Sequence, residues 1–367
     1  MKKSKCRDRI LTCIALSAFL VFLWLVDTGR LLGSYEARVI KLCGVYTIVA
    51  LSLNLISGLT GQFSLGQAGF MAIGAYVTSL LIIPPPIKEA MFYVEPILPW
   101  VRDLQAPFLI ALMAGGAIAA LFASFIGFPV LRLKSDYLAI ATLGFSEIIR
   151  IVIMNATPIT NSSAGIKSIP PIANVWWTSI SAGVCIFLVL RLMRTSYGRA
   201  FKAIRDDEVA AESMGISLFK HKMLSFVISA FLAGISGGLL ASVVGVLTPV
   251  FFRFTLTYEI LLIVVLGGQG SITGSLVAAT VVTIAKEWLR FLDEGFSLGL
   301  FSVPAIPGLR MLVFSVFLMV IILFYREGFF GSREFSWEGF FGIFTKLGKW
   351  CKGLYRRGIT PKGGDRA

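Results

Sequence analysis

The sequence is poor in the residues that perform covalent chemistry. It holds one histidine, His221, and five scattered cysteines (Cys6, Cys13, Cys43, Cys185 and Cys351) among 367 residues. No CxxC pair and no histidine-containing ligand set accompanies them, so neither a disulfide framework nor a zinc site is implied. No GxxxxGK[ST] occurs either: Gly267 to Gly274 is rich in glycine but has no lysine, so the chain carries no phosphate loop and is not expected to hydrolyse ATP itself. Asp206-Asp207-Glu208 is the sole acidic cluster, and helix capping accounts for it, which leaves a membrane-bound transferase without its paired carboxylates or His–acid motif. Charge of any sign is scarce. Only 15% of residues are charged and 56% are hydrophobic, against roughly 25% and 45–50% in a soluble domain.

What the chain has in abundance is long apolar runs. Crossing ~30 Å of hydrocarbon takes roughly 20 helical residues, and one soluble core cannot bury this many such runs. In lipid each segment must satisfy its own backbone, which selects helices, and continuous runs exclude the alternating strands of a barrel. The expected fold class is an all-α polytopic membrane protein with about ten transmembrane helices. Candidate spans are 10–26, 39–57, 64–83, 107–128, 137–155, 178–193, 223–247, 257–269, 274–291 and 308–325. The first mimics a signal peptide, but no small-x-small site follows it, so it reads as an uncleaved helix.

Charge fixes the orientation. The net charge of +14 gathers at Lys2 to Arg9, from Arg191 to Lys222, and beyond Arg326, flanking the apolar runs. That is the positive-inside bias and not the footprint of a nucleic-acid binder. With ten spans both termini are cytoplasmic, and the tail with nine basic against four acidic residues lies inside. Loop 84–106, where Glu89, Glu95 and Asp103 outweigh Lys88 and Arg102, then lies outside, as does loop 156–177 with Lys167 alone. The chain divides into a basic N-terminus (1–9), a transmembrane domain (10–325) and a basic cytoplasmic tail (326–367).

Glycine occurs 36 times, much of it within spans, where small residues let helix backbones approach. Ala114-Gly115-Gly116-Ala117 and Gly234-Ile235-Ser236-Gly237-Gly238 fit that packing role. Two further clusters separate spans two from three and eight from nine. In them Leu59, Gly61, Gln62, Ser64 and Leu65 match Leu266, Gly268, Gln269, Ser271 and Ile272. A shared L-x-G-Q-x-S-[LI] in the two halves suggests a same-orientation internal repeat, and transporters place their sites at repeat interfaces. Gly61, Gln62, Ser64, Gly66, Gln67, Gly268, Gln269 and Ser271 are therefore candidate path or gate residues. Intramembrane ionisable residues are few: Glu147, Glu259, Lys286 and Glu287, of which Glu147 joins the candidate path. So sparse a set argues against an ion-coupled carrier and for energy supplied from elsewhere.

Residues 194–222 form the large cytoplasmic loop. Asp206 or Asp207 can cap a helix there, Glu208 suits its first turn, and Gly215 suits the C′ position that ends it. A two-turn helix from Asp206 to Met214 is too short to persist alone and needs a docking partner, either its own membrane domain or another subunit.

The stretch Val209-Ala210-Ala211-Glu212-Ser213-Met214-Gly215 resembles the EAA-x-x-x-G loop of ABC importer permeases, with Val209 in place of the glutamate and no later I-x-L-P element. More narrowly, GRAFKAIRDDEVAAESMGIS (198–217), LSLNLISGLTGQFSLGQAGFMAIGAY (51–76), SDYLAIATLGFSEIIRI (135–151) and ILLIVVLGGQGSITGSL (260–276) resemble the LivM-type branched-chain amino acid permeases. The resemblance implies a type II architecture, similar to the vitamin B12 importer, and transport of leucine, isoleucine and valine, or of urea, amides or other amino acids in a close relative. It further implies a LivH-type second permease subunit, two cytoplasmic ATPase subunits that bind the ATP, and an extracytoplasmic binding protein. This chain would bind no cofactor of its own. Arg205, Asp206, Asp207, Glu208, Ala210, Ala211, Met214 and Gly215 would form the loop that couples to the ATPase.

Overall fold

The computed structural model describes residues 33–92, 95–133 and 135–290, together with Ile14, residues 17–29 and scattered positions up to 331. The described part is helical apart from one short hairpin, β1 (Phe296–Leu298) with β2 (Phe301–Val303). In chain order the helices are α1 (Ser17–Asp27), α2 (Ser34–Asn54, continued by a π-helical turn Leu55–Leu59), α3 (Gln67–Ile82), α4 (Pro85–Met91) and α5 (Pro99–Arg102). There follow α6 (Phe108–Val130), α7 (Ser135–Asn155), α8 (Thr157–Thr160), α9 (Val175–Met193), α10 (Ser196–Asp206), α11 (Glu208–Ser213), α12 (Leu218–Val244), α13 (Phe254–Gly267) and α14 (Ile272–Trp288).

Eight of the ten expected spans overlap these helices and a ninth, 10–26, is described only over α1; the tenth, 308–325, falls largely outside the described residues, as do residues 1–9 and most of 326–367. Among the described residues, five helices suffice by length and apolar composition to cross a membrane alone: α2 with its π turn, α6, α7, α9 and α12. A sixth arises if α3 and α4, bent by 118° at Ile83-Pro84, count as one span. Span three was expected to begin at Ser64, but the helix starts at Gln67, because residues 61–66 leave helical geometry.

The core is built on close backbone approach. Helix α12 packs against α3, α6 and α2. A side chain on Gly74 would strike Gly234, one on Gly237 would strike the Met71 carbonyl, and one on Gly115 would lie 2.5 Å from Thr78 Oγ1. Without a hydrophobic drive between helices, such contacts carry association through dispersion. The expectation that Gly115, Gly234 and Gly237 serve packing is borne out. The opposite faces are apolar and outward: Leu109, Phe122 and Phe125 on α6, Ile140 and Val152 on α7, Val184 and Phe187 on α9. A surface of that composition suits lipid and not water.

Between α3 and α6, Lys88 is fully buried. Its ammonium donates to the carbonyls of Val101 (3.1 Å), Arg102 (3.3 Å) and Leu104 (2.6 Å), closing the end of α5. Burial pushes its pKa below the ordinary lysine value, with Asp103 acting the other way.

Candidate functional site at the two glycine breaks

The first break starts where α2 widens into a π turn, a feature common at functional sites. Thr60 Oγ1 reaches back to the Leu55 carbonyl (2.9 Å), and Gly61 turns the chain at φ +77°. Gln62 and Ser64 then run non-helically yet buried, which side-chain bonding permits. Gln62 Nε2 donates to Ser225 Oγ (3.0 Å) and the Lys222 carbonyl (3.4 Å), while its Oε1 has no partner. Ser64 Oγ accepts from Gly66 N (3.4 Å), and Thr142 Oγ1 accepts from Leu65 N (2.9 Å). At the start of α3, Gln67 Nε2 donates to Ser229 Oγ (2.9 Å) and its Oε1 accepts from Ser52 Oγ (3.2 Å). These bonds tie the break to α2, α7 and α12.

The second break has the same plan. Helix α13 ends at Gly267, and Gly268 (φ +102°) and Gly270 (φ +92°) reverse the chain. Ser271 caps α14 by accepting from Gly274 N (3.0 Å). Gly61 and Gly268 thus both hold left-handed conformations that favour glycine, and Ser64 and Ser271 both return a hydroxyl to the backbone just ahead. Gln269 is exposed. Phe329 N donates to the Leu266 carbonyl (2.8 Å), so chain from beyond the tenth expected span reaches this break.

The two breaks touch. Asn54, 1% exposed, accepts from Gly270 N (2.8 Å) through Oδ1, and its Nδ2 donates to the Ser271 carbonyl and Ser275 Oγ (2.9 Å each). Gly58 lies so near Gly270 that a side chain on it would meet the Gly270 amide. Sequence reasoning missed Asn54. An amide isolated in the apolar run 39–57 was the available signal, since buried amides bridge membrane helices.

Beside this junction stands the loop between α9 and α12, as two helices where one was expected. Asp206 closes α10, whose Phe201 and Ile204 are buried, and Asp207 breaks the helix at φ −161°. Asp207 then caps α11, accepting from Val209 N (2.8 Å) and Ala210 N (3.0 Å). Glu208 in the first turn pairs with Lys222 (2.7 Å). At the other end Met214 is the C-cap and Gly215 (φ +82°) completes a Schellman turn: Gly215 N donates to the Glu212 carbonyl (2.9 Å) and Ile216 N to Ala211 (3.1 Å). The corrected helix is Glu208–Ser213; the break falls at Asp207 because that residue serves as a cap and not as an interior position. Val209 (75% exposed) and Met214 (83%) point outward with Ala210, whereas Ala211 (4%) packs inward.

Arg205, at the last turn of α10, faces the breaks. Its Nη1 donates to the Gly58 carbonyl (3.3 Å), and its other nitrogens bind Asp206 Oδ1 (3.0 and 3.1 Å). Ser57, Gly58, Gly61, Phe63, Arg205 and Gln269 line a pocket of ≈ 410 Å³ there. Glu147 lies apart from it. Glu147 Oε1 accepts from Phe254 N (3.1 Å), capping α13 from a neighbouring helix, and Oε2 pairs with Arg150 (2.7 Å). Its satisfied carboxylate performs a structural task, and the structure does not bring it to the breaks. Glu259 and Lys286 pair with each other (2.7 Å), and Tyr35 donates to Glu287 (2.9 Å).

Comparison with known proteins gives this geometry a family. The profile described as branched-chain amino acid transport system / permease component matches residues 37–325. The permease protein LivM of the high-affinity branched-chain amino acid transport system is 33% identical in Salmonella typhimurium and 34% identical in Escherichia coli K12. Each alignment runs over 303 residues and covers 73% of this chain. This chain spans 65% of the length of those relatives. LivH of E. coli K12 is 25% identical over 287 residues, covering 73% of this chain and 86% of LivH. A match across the helical domain, including both breaks and the loop between α9 and α12, shows that this chain belongs to the family of branched-chain amino acid transport permease components.

Proposed function

We propose that this chain is a membrane-spanning subunit of an ATP-binding cassette importer that carries leucine, isoleucine and valine across the bacterial cytoplasmic membrane. The observation that carries the reading is the meeting of three elements at one place: both Gly-Gln-x-Ser breaks and the α10–α11 loop. A permease driven from outside needs a path that opens and a surface on which the driving subunit acts. The touching breaks supply a closure between the chain's two halves. Helix α11, with Val209, Ala210 and Met214 outward, supplies an apolar surface for a cytoplasmic ATPase.

In this reading the chain spans the membrane ten times in a vitamin B12 importer-like arrangement. Both termini are cytoplasmic, with residues 1–9 and 326–367 flanking the transmembrane domain. Its partners are a LivH-type permease subunit, two ATPase subunits and an extracytoplasmic binding protein. ATP is bound and cleaved by the ATPase subunits, and this chain contributes no catalytic group. The named relatives and the basic residues at the expected cytoplasmic positions support that assignment.

The test is leucine uptake in cells producing this chain with its partner subunits, combined with cysteine accessibility. Cysteines at the exposed positions Glu95 and Lys167 should react with an impermeant maleimide in intact cells. One at Met214 should react only after permeabilisation. Labelling of Met214→Cys in intact cells, or uptake independent of this chain, overturns the reading.

A further inference from the structure

Arg205 makes contacts that capping and docking do not require. It sits on the inward side of the cytoplasmic loop, and two glycines clear its place. A Cβ on Gly61 would lie 3.0 Å from Arg205 Cα and Cγ, and one on Gly270 would lie 3.0 Å from Arg205 Nη1. Both glycines hold positive φ, so the first and the second break each shape a wall of the arginine's slot. The guanidinium closes the arrangement through the Gly58 carbonyl, and Gly58 itself abuts the Gly270 amide. At its other edge the same guanidinium holds Asp206, one residue before the cap that starts α11. From α11 to both breaks is therefore a single short chain of contacts: cap Asp207, Asp206, Arg205, then Gly58, Gly61 and Gly270.

We infer that Arg205 is the positioning residue through which displacement of α11 reaches both breaks together. The inference rests on the transport reading above and adds the part that transmits. A planar guanidinium suits this place because it donates in several fixed directions at once, whereas a lysine ammonium is a flexible point donor. When the ATPase moves α11, Arg205 moves within its slot, and the Gly58–Gly270 contact that closes the breaks is loosened from both sides. The arginine touches neither ATP nor the docking face.

The experiment uses the whole importer reconstituted in proteoliposomes with leucine-loaded binding protein, measuring leucine uptake and ATP hydrolysis in parallel. Arg205→Met removes the fork and keeps the stem. Losing a charged hydrogen-bond donor at this site should lower uptake per ATP hydrolysed by about tenfold or more. Co-purification of the ATPase and its stimulation by binding protein should remain. Arg205→Lys should recover part of the ratio. Gly61→Ala and Gly270→Ala, which crowd the slot and leave the charge in place, should lower the ratio in the same way. An unchanged ratio in Arg205→Met overturns the inference. So does failure of Arg205→Met and both glycine variants to assemble, because the contact is then structural. A wild-type complex that takes up no leucine instead removes the underlying transport reading, so the two failures are distinguishable.

Discussion

Replacing Gly215 by valine isolates what the Schellman turn contributes to α11. Open space surrounds the position where a Cβ would stand, so no steric collision arises and the whole effect is conformational. At φ +82° an L-residue with a Cβ is disfavoured by about 1–2 kcal/mol, and a β-branched one by more. A helix of six residues has no reserve against that loss, since isolated helices below ~12–15 residues are already marginal in water. The folded-to-frayed ratio of α11 should fall roughly 5–30-fold. Where a partner binds only the folded form, apparent affinity falls with the folded fraction. The assay is a titration of the purified chain with the proposed ATPase subunit, with uptake measured alongside. Gly215→Asn, which tolerates the left-handed region, should bind nearly as wild type; Gly215→Ala should be intermediate and Gly215→Val weakest. Equal binding by the asparagine and valine variants would refute the argument, because side-chain size and not backbone conformation would then be at work.

Three further outcomes follow from the packing. Asn54→Leu strands the Gly270 amide at about 1–3 kcal/mol, so the purified chain should melt at a lower temperature while Ser57→Ala does not. Gly237→Leu should abolish a monodisperse elution peak because it drives a side chain into the Met71 backbone, whereas Gly144→Ala, facing open space, should elute as wild type. For Lys88 the pKa is lower in the folded chain than in the unfolded one, so the unfolded chain binds more protons between the two values. Stability relative to Lys88→Met should therefore rise as pH climbs toward the ordinary lysine value of about 10.4, and thermal melts across that range showing a fall would contradict the assignment.

Local rules reached some elements of the site and missed others. Gly215 and Asp207 were readable because a cap is decided by residues one to four positions away. The paired Gly-Gln-x-Ser breaks were readable as a repeat for the same reason: each turn is built from its own few residues. Helix α10 escaped notice because its buried residues, Gly198, Phe201 and Ile204, are spread among basic ones in a stretch that reads as a polar loop. Ala211 looked equivalent to Ala210, and only the docking of α11 turns one inward and leaves the other outside.

The sequence by itself determined that this chain is a bundle of apolar helices, roughly where each begins and ends, and which segments break. Those features follow from hydrocarbon thickness, backbone satisfaction and the conformational freedom of glycine, all of which act along the chain. Tertiary structure alone decided the rest: that Asn54 ties one break to the other 216 residues away, and that Arg205 fills a slot between them. It also decided that Glu147 caps a distant helix. The physical reason is the same in each case. A hydrogen bond between remote segments depends on how helices pack, and that packing is set by the close contacts of many small residues together, which no short window of sequence contains.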